Sequence, residues 1–104
     1  MTLKFEPERM VYDPAESLLR FFATDGSLLA RCAISRAALI ALEDDAQGGV
    51  DAMVTTYRRN RRLIQHIAQR KYRARMLEAS GVVIRLEDIA DEVPAPDCRP
   101  LGAS

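Results

Sequence analysis

Tryptophan is absent from the chain, histidine occurs once and cysteine twice. The two cysteines, Cys32 and Cys98, form no CxxC pair, and with His66 as the sole imidazole there are too few soft ligands for a zinc site. No apolar run approaches the roughly 18 to 20 residues that a membrane span needs. The opening Met1-Thr2-Leu3-Lys4-Phe5-Glu6 lacks the apolar stretch of a secretory signal, so a cytoplasmic location is expected. Net charge is lacking too: 15 Lys and Arg balance 15 Asp and Glu. What is present is ordinary for a folded protein. The 104 residues suffice for one domain, with 48% hydrophobic and 29% charged side chains, which excludes disorder throughout. At this length folding hides roughly 60 to 70% of the chain's surface, so a core forms without disulfides or metals.

The neutral total is an average over unlike segments. Residues 1–57 carry five basic and nine acidic side chains, residues 58–75 eight basic and none acidic, and residues 76–104 two basic and six acidic. The arginines of the middle segment therefore meet either an outside anion or the protein's own acids.

Along the chain, Asp25-Gly26 between two apolar runs signals a two-residue hairpin turn with positive φ at both positions. Centred there, the turn sets Phe21 opposite Ala30 and Arg20 opposite Arg31. Leu19, Phe21, Ala23, Leu28, Ala30, Cys32 and Ile34 then share one core-facing surface. The opposed arginines require an acid nearby, for which Glu6, Glu8 and Glu87 qualify. Upstream, Thr2 to Phe5 reads as a further strand closed by Pro7. Downstream, Ser35 is placed to cap a short helix ending near Glu43, residues 44–49 read as a loop, and Val82 to Leu86 alternates like a final strand.

Between them, a single helix from Asp51 to Ser80-Gly81 is expected, with Gly81 as its stop. At about 1.5 Å per residue it would reach about 40 Å and overhang strands of about 24 Å, unless it bends or a second subunit covers it. Its apolar stripe is Met53, Tyr57, Ile64, Ile67 and Ala68. Asn60 and Lys71 fall in the same stripe, where Asn60 needs a hydrogen-bond partner and Lys71 is expected to run its stem over the core to water. On the opposite side Arg59, Arg62, His66, Arg70 and Arg73 recur at spacings of three and four. Arginine forks in such a ridge match phosphate oxygens, and His66 adds a donor. The competing reading is a solvated face neutralised by Glu43-Asp44-Asp45 or by Glu87, Asp88, Asp91 and Glu92; a chain without overall basic charge favours it.

Catalytic signals are weak. His66 has no nearby acid in sequence to orient it as a base, Ser35 lacks a nucleophile-elbow motif, and Cys32 points inward from a strand. No catalytic, cofactor or metal residues are assigned.

The segments Phe5-Glu6-Pro7, Tyr12-Asp13, Cys32-Ala33-Ile34-Ser35-Arg36-x-Ala38-Leu39, Asn60-Arg61-x-x-Ile64-x-x-Ile67-Ala68-x-x-Lys71-Tyr72 and Val83-x-Arg85-Leu86 together resemble domain-of-unknown-function family 1488, a bacterial family of uncharacterised proteins. The resemblance covers residues 3 to 88 and implies a compact single domain with no assigned activity. It draws attention to Asn60, Arg61, Lys71 and Tyr72 as positions of the family's helix motif.

The expected fold is a two-layer α+β domain over residues 1–90, ordered β-β-β-α-α-β, with an antiparallel sheet of three or four strands under a short and a long helix. Residues 91–104 are expected to form an acidic, proline-containing tail. The leading functional expectation is a non-enzymatic domain that self-associates or binds a protein partner, through the overhanging helix and a second sheet face carrying Leu18, Phe22 and Leu29. The alternative is a nucleic-acid accessory protein using the basic helix. No membrane, metal or cofactor partner is expected.

Overall fold

A computed structural model describes residues 3–78 and 81–92. Three consecutive strands, β1 (Lys4–Asp13), β2 (Leu18–Asp25) and β3 (Leu28–Ser35), pair antiparallel as a meander. Helix α1 (Arg36–Leu42) follows, then a 3₁₀ turn (Asp44–Gly48), helices α2 (Val50–Arg59) and α3 (Arg61–Arg73), strand β4 (Val82–Ile84) and helix α4 (Leu86–Glu92). The α+β class is as expected.

One strand departs from the all-antiparallel sheet. β4 lies beside β3 but runs parallel to it, so the sheet is mixed, in the order β1-β2-β3-β4. The alternation of Val82 to Leu86 carries no information on direction. Direction follows from the connection: the chain leaves β3, crosses the sheet through three helices and re-enters at the same end, which is the crossover that a parallel neighbour requires. Pro7 does not close the first strand either. β1 continues to Asp13, and its pairing with β2 shifts register between Phe5 and Met10, an irregularity that accommodates a residue without a backbone N–H.

The hairpin turn sits one residue later than expected. Asp25 pairs with Leu28, leaving Gly26-Ser27 as the loop, with Gly26 at φ 65°. Glycine at the first central position suits a turn that needs positive φ only there. The slip moves every cross-strand partner by two residues, so each side chain keeps its face. Leu19, Phe21, Ala23, Ala30, Cys32 and Ile34 are buried as expected, while Leu28 at the turn is 64% exposed. The slip also removes the arginine opposition. Arg20 faces Ala33 and binds Asp13 at 2.9 Å, so the acid is Asp13, not Glu6 or Glu87; the Glu8 side chain lies outside the described ones. The Arg20 guanidinium holds the Asp13 carboxyl below its usual pKa.

The core lies between one face of the sheet and the helices. Met53 and Tyr57 of α2, Ile64, Ile67 and Ala68 of α3, Ala38 and Leu39 of α1 and Ile89 of α4 pack on Phe21, Cys32, Ile34, Val82 and Ile84. Ser35 caps α1, its hydroxyl accepting from the Ala38 N–H at 3.1 Å. On the other face, Leu18, Ala33 and Val83 form a small buried cluster, and Phe22 lies under the Arg9 guanidinium at 4.7 Å. Of the apolar residues expected to be open there, Leu29 alone is more than half exposed.

The expected single long helix is two helices. α2 ends at Arg59 and α3 starts at Arg61, with Asn60 between them at φ −108° and ψ 20°. α3 stops at Arg73, well before Gly81. Ala74 and Arg75 turn the chain: the Arg75 N–H reaches the Tyr72 carbonyl at 3.1 Å and the Met76 N–H the Lys71 carbonyl at 2.9 Å. These are the two bonds of a Schellman stop, and Arg75, at φ 58°, occupies the left-handed position that glycine usually fills. The expected tail over residues 91–104 starts too early, because α4 runs to Glu92; residues 93–104 lie outside the described residues.

Candidate nucleic-acid interface

The bend at Asn60 has a local cause. Asparagine competes with the helix ladder by bonding nearby backbone. Here the Asn60 amide donates to the Thr56 carbonyl at 2.9 Å and to Glu43 Oε2 at 2.9 Å. A loop or strand-edge backbone group is the expected partner for Asn60; its partners are instead a carbonyl of the preceding turn of α2 and a carboxylate from the loop after α1.

The bend gathers charge. Arg58 and Arg59 end α2, Arg61 and Arg62 begin α3, and together with Asn60 and Leu63 they line an open depression of about 400 Å³. All four arginines are exposed. Arg59 pairs with Glu43 at 2.9 Å. Among the described residues no ion pair joins Arg61 or Arg62 to a carboxylate. Beyond the depression Arg62, His66, Arg70 and Arg73 follow one another along the outer face of α3, all exposed. All five ridge residues are exposed, and the depression sets Arg58 and Arg61, which strict helical spacing leaves off the ridge, beside Arg59 and Arg62. A neighbouring asparagine aligned with the apolar stripe was the only sequence sign of the bend that brings them in.

The motif positions play different parts. Arg61 stands at the depression. Lys71 does not reach water: it is 7% exposed, and its ammonium donates to the Val83 carbonyl and to Asp88 Oδ2, each at 2.7 Å. The short helix α4, absent from the sequence reading, brings Asp88 there, where a buried cation without a counter-charge would be costly. Burial pushes the Asp88 carboxyl up, but the Arg85 N–H and the Lys71 ammonium outweigh it and leave its pKa below the usual value. Tyr72 donates its hydroxyl to Asp25 at 2.8 Å, tying α3 to the hairpin turn, and this bond raises the phenol's pKa. Lys71 and Tyr72 thus hold α3 to the sheet, while Asn60 ties the helix pair to the loop after α1.

Burial pushes the Cys32 thiol up to about 12, far from a thiolate nucleophile. Cys98 lies outside the described residues. Among the described residues no cluster of three or more His, Cys, Asp or Glu could hold a metal ion, and no helix is long and apolar enough to cross a membrane. A second concavity, of about 430 Å³, opens between β3 and the segment after α3, where Leu29, Tyr72, Leu77 and Gly81 form part of its wall.

The fold defines a small α+β domain whose mixed sheet carries all its long helices on one face. The chain belongs to the family described as "Protein of unknown function (DUF1488)", whose model matches residues 3–84. A crystal structure of a protein of unknown function from the same family, from Shewanella loihica PV-4, is similar with a TM-score of 0.72 at 19% identity. The match covers 83% of this chain and 92% of that one. No curated protein matches the chain.

Proposed function

We propose that the chain is a non-enzymatic nucleic-acid accessory protein that meets the phosphate backbone with the basic face of α2 and α3. The observation carrying this reading is the exposure of six arginines on that face, with Arg61 and Arg62 outside any ion pair among the described residues. Along α3 alone, from Arg61 to Arg73, the face extends about 18 Å at 1.5 Å per residue, room for several phosphates. A chain of zero net charge binds a polyanion when its charge is segregated, because the local field, not the total, acts within a Debye length of about 8 Å. Bacterial origin and a cytoplasmic location belong to the same proposal; the family neighbour from Shewanella loihica and the unpaired thiol of Cys32 support them. The test is fluorescence anisotropy with a labelled duplex across a salt series. With about four phosphates contacted, log affinity falls with log salt at a slope of about −3.6. No binding at low salt ends the proposal.

A second reading, self-association, is favoured by Leu29 and Leu77, which are 53% and 51% exposed and share the larger concavity. Sedimentation velocity at rising concentration tests it, with Leu29→Ser as the disrupting variant. A monomer at every concentration ends it.

A further inference from the structure

We propose that the bend at Asn60 is the principal phosphate site of this surface and that Glu43 is its built-in competitor, an internal carboxylate standing where a phosphodiester would sit. The inference rests on the nucleic-acid reading above. Glu43 presents its two oxygens to two different donors: Oε1 to Arg59 at 2.9 Å and Oε2 to the Asn60 amide at 2.9 Å. A phosphodiester offers the same pair of anionic oxygens with one negative charge, so it satisfies the same donors. The depression around them is open, and Arg58, Arg61 and Arg62 line it as well. Arg61 and Arg62, outside any ion pair among the described residues, leave the site cationic even with Glu43 in place.

Glu43 is also placed to leave. It is the extended residue between the end of α1 and the 3₁₀ turn, at φ −150° and ψ 123°, and its side chain is partly exposed. Rotation of one side chain returns it to water without disturbing either helix. The exchange replaces one charge by another, so the bend does not become an unbalanced cluster at any point. Bound nucleic acid then gains Arg59 and Asn60 as contacts that the free protein keeps occupied.

The experiment compares the wild type with Glu43→Gln and Asp44→Asn, using a fluorescein-labelled 16-base-pair duplex over 25 to 200 mM NaCl, with thermal melting of each variant. Asp44 is exposed and removes an equal charge one residue away. Glu43→Gln is expected to bind about three- to fivefold more tightly at the lowest salt, the worth of one exposed ion pair released. Its salt slope is expected to match that of the wild type, because Glu43 leaves on binding and both complexes make the same phosphate contacts. Asp44→Asn is expected to change the affinity less and to leave the slope alone. Equal effects of the two variants, or an unchanged Glu43→Gln, overturn the competitor while leaving the nucleic-acid reading standing. Absence of binding by all three proteins overturns both. A readout free of mutation accompanies these: on titrating unlabelled duplex into ¹⁵N-labelled wild type, the Asn60 side-chain amide resonances move. If the backbone amides of α3 shift while that side chain does not, the bend is not the phosphate site.

Discussion

Lys71 Nζ stands 2.7 Å from the Asp88 carboxylate and 2.7 Å from the Val83 carbonyl, so one buried ammonium joins α3, β4 and α4. β4 is the edge strand of the sheet and only three residues long, and an edge carbonyl without a partner invites foreign pairing. Lys71 occupies that acceptor, and Asp88 balances the charge. Removing one member of a buried pair strands the other, which typically costs about 3 to 5 kcal/mol. Asp88→Ala is therefore expected to lower the unfolding free energy by about 3 kcal/mol, measured by urea denaturation. A loss below about 1 kcal/mol would mean that water already solvates the pair.

The same carboxylate sets an acid limit. Its pKa is lower folded than unfolded, so the folded protein binds fewer protons as pH falls toward that range. The stabilisation is fully present above about pH 4, the ordinary carboxylate value, and is lost as pH falls through the depressed folded value. Asp13 and Glu78, held down by Arg20 and Arg85, act in the same direction. Stability plotted against pH should fall below about pH 4 in the wild type and fall less steeply in Asp88→Ala. Parallel curves for the two proteins would show that Asp88 does not contribute.

These contacts show which parts of the molecule were legible. The core face of the hairpin could be read from alternation because facial parity survives a slip of the turn, and Ser35 because capping is local chemistry. Asn60 and Lys71 were recognisable as polar residues in an apolar stripe, but their partners, Glu43 and Asp88, lie 17 residues away in each case. No local pattern announces such pairings, and α4 itself is only seven residues long. The basic ridge was legible from spacing alone; the depression was not, because it depends on a bend that a tertiary contact stabilises.

The stop of α3 was hidden for a related reason. Glycine usually marks that position, and Gly81 drew the expected boundary, whereas the left-handed residue is Arg75 at φ 58°. An L-residue there costs roughly 1 to 2 kcal/mol, part of which glycine returns as extra freedom of the unfolded chain. Arg75→Gly should raise stability by about 0.5 to 1 kcal/mol in chemical denaturation, without altering the core. A loss of stability would mean that the Arg75 side chain makes a contact worth more than the backbone strain.

Gly81 has a different task. It sits at φ 105°, and a Cβ added to it would fall 2.3 Å from the Arg31 carbonyl oxygen, inside any real contact distance. The clash is with backbone of β3, which cannot rotate away. Gly81→Ala must separate β4 from β3 or shift the Glu78–Gly81 turn, and overpacking of this kind costs about 1 to 3 kcal/mol before the strain of positive φ is added. Thermal melting is expected to show a drop of several degrees. A variant as stable as the wild type would show that the turn moves freely.

Tyr57 makes the opposite case, a position where a native group opposes stability. Its ring packs against Phe21 at 5.0 Å between centroids, and the residue is 1% exposed. Its hydroxyl is buried with no hydrogen-bond partner among the described residues; Gln65 lies close enough to influence it but outside bonding geometry. Burial raises the phenol's pKa, as it must for a group cut off from water. A buried hydroxyl without a partner forfeits its solvation, roughly 1 to 3 kcal/mol, and gains nothing in exchange. Tyr57→Phe keeps the ring contact and removes the forfeited group, so it should be as stable as the wild type or better by about 1 kcal/mol. Tyr57→Ala, which removes the ring, should cost about 3 to 5 kcal/mol by leaving a cavity against Phe21. The pair of variants separates packing from polarity: if Tyr57→Phe loses more than about 1 kcal/mol, the hydroxyl is bonded in solution, and Gln65→Ala should then reproduce the loss.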